Sequence, residues 1–397
     1  MQRTRVARQT HQVYLIPGFF GFANFGDIRY FGHVEAHLQA ALAARGMEAK
    51  IHAVETHPTS SIRMRTLRLV RFIERTAGDD DPITLIGHST GGLDARLLTA
   101  PSVSLPDAGD VSQLAQRIRT VVTVCTPHDG TPAAAFFASI FGQRLLQVFS
   151  LATIYTLQFG HLPLSAVIRL GAIVTRLDRL ISGPNTVLDQ LYTELLGDFN
   201  AERREAIRNF LRDIRSDQSL VLQLTPDGID LFNASVVDRP DVVYGSVIAK
   251  ANPPRILAVS PYLTDPVSAA GHVLYQFLHR ITARTPRRHH RSLDALSETA
   301  LREVYGKVPS RRDNDGMVPT RSQVWSHVVH ATSADHLDVL GHFADPRHVP
   351  PHYDWIATNT GFRRPQFDAL WNDVADFVAN PPRPRPVAIT DDYAAVP

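Results

Sequence analysis

Between residues 12 and 130, short apolar runs alternate with longer stretches in which apolar residues recur at helical spacing. Residues 13–16, 49–54, 83–86 and 121–125 are apolar, partly β-branched runs that predict buried strands. Segments 34–45, 62–75 and 92–98 predict helices. In 62–75, Leu67, Val70 and Ile73 form a stripe with arginines between them, as on a surface helix. Such alternation predicts a parallel sheet with crossover helices, whose ligands bind beyond the carboxyl ends of the strands.

From residue 131 the texture changes. Residues 133–141 are small and apolar. Residues 145–168 carry no charge but include Gln147, Gln158, His161 and Pro163. The length matches a membrane span, but the polar residues and the proline argue for a helical cap. Residues 201–216 read as its charge-rich outer wall. A strand at 242–249 resumes the core, followed by helix 269–281, loop and short helix over 283–312, a β-like run at 325–329 and helix 366–378. The last presents Phe367, Leu370, Val374 and Phe377 on one face. The expected division is a first core part, 1–130, a cap or lid insertion, 131–241, a second core part, 242–380, and a disordered Pro-rich tail, 381–397.

Chemistry enters with Gly87-His88-Ser89-Thr90-Gly91, set between the strand at 83–86 and the helix at 92–98. A G-x-S-x-G in that context is a nucleophile elbow. The turn is too sharp for side chains two residues either side of the serine, so Gly87 and Gly91 relieve it. The Ser89 hydroxyl is thrust above the sheet, and the Thr90 N–H points to the same place. His88 is expected to pack beneath the elbow. A serine hydroxyl needs an imidazole base, and the imidazole needs a carboxylate to hold its tautomer. In the order Ser, acid, His, Asp315 lies in a turn-forming Asn-Asp-Gly cluster, and His336 on a loop after a β-like run. Asp313 and Asp338 are the rival acids. The second oxyanion donor is expected from Pro17-Gly18-Phe19, after the strand at 13–16. Gly18 permits close backbone approach there, and Phe19 supplies the N–H.

These places together resemble the bacterial triacylglycerol lipases of the Pseudomonas and Burkholderia type. Gly18 to Phe22 resembles their oxyanion loop, and Tyr30-Phe31 the aromatic pair after it. Gly87 to Arg96 resembles their elbow and first helix. Val124-Cys125-Thr126-Pro127-His128-Asp129-Gly130 resembles their threonine-proline-histidine segment. Asn314-Asp315-Gly316 and His336-Leu337-Asp338 resemble their acid and histidine loops. The resemblance implies an α/β-hydrolase fold with an inserted helical cap, and ester hydrolysis through an acyl-enzyme. It implies no required cofactor but a structural calcium near the histidine loop. Asp338 matches one ligand position, and Asp294 is the nearest counterpart of the other. The sequence departs from the family at Pro17, where a histidine is usual.

The expected activity is a lipase or carboxylesterase acting on hydrophobic acyl esters. An acyltransferase or thioesterase on the same residues is the near alternative, and a non-catalytic binder of hydrophobic ligands the distant one. The expected partners are a small-molecule or lipid ester and a lipid interface. A net charge of +2 gives no case for nucleic acid, and the chain has no G-x-G-x-x-G or P-loop phosphate cradle. The basic run 284–291 reads as a solvated face, with contact to anionic lipid headgroups the sharper alternative. Cys125, the single cysteine, allows no internal disulfide and reads as inert core. Arg3, Arg5 and Arg8 precede only a strand-length apolar run, so a cytoplasmic protein is expected, with secretion the alternative.

Overall fold

In the computed structural model the described residues are 10–19, 24–25, 28–102, 105, 111–159, 163, 165–166, 168–170, 185–254, 266–286, 292–349, 351–352, 354, 356 and 358–385. Strands β1 (His11–Ile16), β2 (Ala49–Ala53), β3 (Ile83–His88), β4 (Ile118–Val124), β5 (Val243–Ala249) and β6 (His327–Thr332) pair in parallel. Their order across the sheet is β2-β1-β3-β4-β5-β6. Every residue of β3 and β5 is buried, as strands covered on both faces require.

Alternation along β1 divides the core between the two faces. Val13 and Leu15 join the cluster under α1 (Gly32–Ala44) and the closing helix Arg364–Ala379. Tyr14 and Ile16 join the cluster under α2 (Ile62–Thr76), with Ala95 and Leu98 of α3 (Gly91–Thr99). Because β1 lies between β2 and β3, successive connections leave it in opposite directions. That reversal opens a crevice at the carboxyl ends of β1 and β3, where the loop after Ile16 and the turn after His88 meet.

Two of the strand ends that differ from the sequence reading have a backbone cause. Cys125 has φ 51° and so leaves the extended conformation, ending β4 at Val124. Ser326, with φ 56°, breaks the run 325–329, and β6 begins only at His327. Left-handed backbone at a non-glycine residue interrupts a strand whatever the hydropathy.

Between β4 and β5 lie helices Pro132–Phe137, Ile140–Phe159, Asn185–Gly197, Ala201–Ser216, Ser219–Gln223 and Pro226–Ser235. The uncharged run ends its helix at Phe159. Among the described residues no helix is long and apolar enough to cross a membrane. In Ala201–Ser216, Ile207, Phe210 and Leu211 face inward, and Glu202 and Arg212 stay exposed. The tail splits. Residues 381–384 are exposed and Arg385 is half-buried, its carbonyl accepting the Ser326 hydroxyl and its side chain pairing with Asp294. Residues 386–397 lie outside the described residues, as do 20–22 of the oxyanion loop and 287–291 of the basic run.

Candidate active site

The elbow has the steric form its glycines require. A Cβ on Gly87 would stand 2.3 Å from the carbonyl carbon and oxygen of Gly91, and one on Gly91 would stand 2.2 Å from the Ile16 oxygen. Ser89 sits at φ 54°, a strained backbone setting on a tight turn. The Ser89 N–H donates to the Val124 carbonyl at 2.8 Å, which anchors the turn to the next strand. Thr90 is the N-cap of α3.

Asp315 and His336 come together although 21 residues separate them: His336 Nδ1 donates to Asp315 Oδ2 at 2.7 Å. Asp315 is fully buried. Its Oδ1 accepts the N–H groups of Met317 and Val318 at 2.9 and 2.7 Å, and its Oδ2 also accepts Gln323 Nε2 at 3.1 Å. Four donors on two oxygens suit an acceptor-only carboxylate. Since Nδ1 carries the proton, His336 Nε2 keeps the lone pair a base needs. Asp313 is committed elsewhere, accepting the Ser310 N–H at 2.6 Å. Asp338 accepts from the Asp335 N–H and the Thr360 hydroxyl, both at 3.0 Å.

Ser89 and His336 line one apolar cleft. Phe19, Phe137, Leu146, Val221, Leu224, Val318 and Leu337 contribute its walls, so both sides of the core and the segment between β4 and β5 build it. Thr131, N-cap of Pro132–Phe137, also donates its hydroxyl to the Met317 carbonyl at 2.6 Å, tying the cleft wall to the acid loop.

His88 is buried, and both ring nitrogens are engaged. Nε2 donates to the His336 carbonyl at 2.9 Å, so Nδ1 accepts the Tyr30 hydroxyl at 2.6 Å. The Tyr30 oxygen in turn accepts the Gly18 N–H at 3.2 Å. Burial holds the His88 pKa well below its ordinary value and keeps the ring neutral. The ring therefore links the loop carrying Gly18 and Phe19 to the loop carrying His336.

Two contributors, Arg65 and Gln323, had escaped the sequence reading. Arg65, fully buried, donates to Asp94 at 2.7 Å, and to the carbonyls of Pro17 at 2.6 Å and His57 at 2.7 Å. It holds the loop that carries Phe19. Its signal was available: Arg65 lies three residues after Ile62 and four before Leu69, on the stripe α2 buries. Gln323 bridges Asp315 to β5, accepting the Ala249 N–H at 2.7 Å, and no sequence pattern marks it. The Cys125 sulfur lies within 4.8 Å of the acid and imidazole atoms. Burial pushes its thiol well above the usual range, leaving an S–H beside Asp315 rather than a nucleophile.

Asp294 and Asp338 belong to different surroundings. Asp294 caps helix Ala295–Tyr305 by accepting the N–H groups of Leu296 and Ser297, both at 3.0 Å, and it pairs with Arg385. Asp338 is buried, and burial together with the charges of Asp335 and Asp354 pushes its carboxyl well above the carboxylate range. Asp335 beside it accepts the N–H groups of Leu337 and Asp338 at 2.8 and 2.9 Å and the Thr358 hydroxyl at 3.2 Å.

This sheet order and elbow define an α/β-hydrolase fold. The chain is similar to EstA from Clostridium botulinum, at 19% identity and a TM-score of 0.56, over 97% of this chain and 90% of that one. It is also similar to lipase 1 from Pelosinus fermentans, at 17% identity and a TM-score of 0.52, over 94% and 99%. At such identities the likeness establishes the fold. No family model and no curated protein matches the chain.

Proposed function

We propose that the protein is a serine hydrolase that cleaves carboxylic esters with hydrophobic acyl chains. Ser89 attacks the ester carbonyl while His336 Nε2 takes its proton. Asp315 holds the imidazole and stabilises its positive form. The N–H groups of Phe19 and Thr90 hold the oxyanion of the tetrahedral intermediate. His336 then protonates the leaving alcohol, and water, activated by the same imidazole, releases the acid. The observation that carries this reading is the 2.7 Å His336–Asp315 bond beside an apolar cleft that Ser89 also lines. The lipase and esterase structures of the same fold support the ester class. The finer resemblance, to the Pseudomonas and Burkholderia lipases, rests on the motifs alone. A calcium near Asp338 would brace the histidine loop and take no part in bond making.

A fluorophosphonate probe tests the nucleophile. The wild type should label at one site, and Ser89→Ala should abolish both labelling and hydrolysis, the latter by about a million-fold. A chain-length series of nitrophenyl esters tests the acyl pocket, with a preference for medium or long chains expected. Labelling that survives Ser89→Ala would falsify the assignment. Adding alcohols or thiols as acyl acceptors separates hydrolysis from transfer.

A further inference from the structure

A second group of chemically competent side chains lies outside this cleft. His33, in the first turn of α1, meets His348 and His352, which follow the histidine loop. Their ligand atoms all lie within 4.8 Å of one another. His352 Nδ1 donates to the Gly341 carbonyl at 2.5 Å, which fixes the tautomer and leaves the Nε2 lone pair unprotonated. That Nε2 is buried with no hydrogen-bond partner, on a residue only 1% exposed. His33 stacks on the His352 ring at 3.7 Å, and the His348 ring lies 4.8 Å from it. Burial and the neighbouring imidazoles push the His33 pKa down to about 3, so that ring is neutral at neutral pH. An imidazole held by its Nδ1–H on a carbonyl, with Nε2 aimed at two more imidazoles, is the arrangement of a metal ligand.

We propose that His33, His348 and His352 form a binding site for a divalent transition-metal ion, zinc foremost. Imidazole nitrogens suit zinc, and three of them leave a fourth tetrahedral position for water. A bound ion lies in the plane of each ligating ring, so loading turns His33 out of its stack on His352. It also draws His348 from the Arg364 guanidinium, which keeps Asp368 as its partner at 2.8 Å. The ion clamps the start of α1, just after Tyr30, to the segment following His336. Its role is structural, and the ion takes no part in the proposed hydrolysis.

The test uses the full, untagged chain, stripped with chelator and titrated with zinc chloride by calorimetry. One equivalent should bind. At a hundredfold excess over Kd, the melting temperature should rise by roughly 3 °C for a chain this long. Cobalt(II) should give visible d–d bands. His348→Gln, at a half-buried position that tolerates change, should weaken binding about a hundredfold or more and remove the bands, and His33→Phe should do the same. Zinc affinity and melting shift unchanged in His348→Gln and in His33→Phe would overturn the assignment, as would a wild type that takes up no zinc.

Discussion

Arg65→Met is the most searching perturbation of the active-site framework. The guanidinium is fully buried, paired with Asp94 at 2.7 Å, and donates to the carbonyls of Pro17 and His57. Removing it strands a buried carboxylate and two carbonyls. Breaking a buried ion pair by deleting one partner costs about 3–5 kcal/mol. At about 2.1 cal/mol/K per residue, the 397 residues give an unfolding entropy of roughly 0.8 kcal/mol/K, so about 4 kcal/mol lowers Tm by about 5 °C. Stability alone would not distinguish a framework role from a functional one. The double variant Arg65→Met with Asp94→Leu does, because it removes the stranded charge and should recover most of the lost stability. It does not return donors to the Pro17 and His57 carbonyls. The loop carrying Phe19 is then free to shift, and loss of one oxyanion donor costs about a hundred- to a thousandfold. A partial displacement should therefore lower kcat on a nitrophenyl ester by about 10- to 100-fold, with KM little changed, in both single and double variants. A double variant with wild-type kcat would refute the claim that Arg65 holds the oxyanion loop.

Gly91→Ala sets a Cβ 2.2 Å from the Ile16 oxygen and should cost about 3 kcal/mol or more by denaturant melting, whereas Gly46→Ala, with nothing within 4 Å, should cost about 1. Asp315→Asn should lower kcat by about 10⁴-fold and Asp313→Asn by less than tenfold, and the reverse order in steady-state assays would move the acid to Asp313. Ala134→Trp, in the cleft wall, should shift the preferred nitrophenyl ester to shorter chains while acetyl ester turnover persists. Burial lowers His33 to about 3 and His342 to about 4. Below pH 6.5 the unfolded chain therefore binds more protons than the native one, and these residues lower stability as pH falls from 6.5 toward 4. Asp335, raised to about 6 by burial, acts oppositely below pH 6. His33→Phe should thus flatten the decline in Tm between pH 6.5 and 5, and an unchanged slope would assign that decline to other groups.

What could be read from the chain divides by the range of the physics involved. Local rules sufficed for the elbow, because a sharp strand-to-helix turn needs glycine at 87 and 91 wherever it occurs. Hydropathic period sufficed for the parallel core, since strands covered on both faces are continuous apolar runs. Asp315 was legible because turn-forming residues around an acid mark a loop past a strand end. The strand ends at Cys125 and Ser326 were not, because left-handed backbone at a non-glycine residue is enforced by surrounding structure. The pairing of Asp294 with Asp338 rested on the resemblance alone. Sequence separation carries no information on which acid caps a helix and which is buried beside other acids.

The role of His88 shows how far such reading reaches. Its place beside Ser89 foretold packing under the elbow, and the ring is buried there. The partners that give the packing its consequence are Tyr30, 58 residues upstream, and the His336 carbonyl, 248 residues downstream. A neutral imidazole with one donor and one acceptor is suited to such a bridge, since a hydrophobic residue of equal size would leave the Tyr30 hydroxyl and the His336 carbonyl without these bonds. The elbow thus fixes more than its own serine: the side chain preceding Ser89 sets the spacing between the oxyanion loop, reached through Tyr30 and Gly18, and the loop bearing His336.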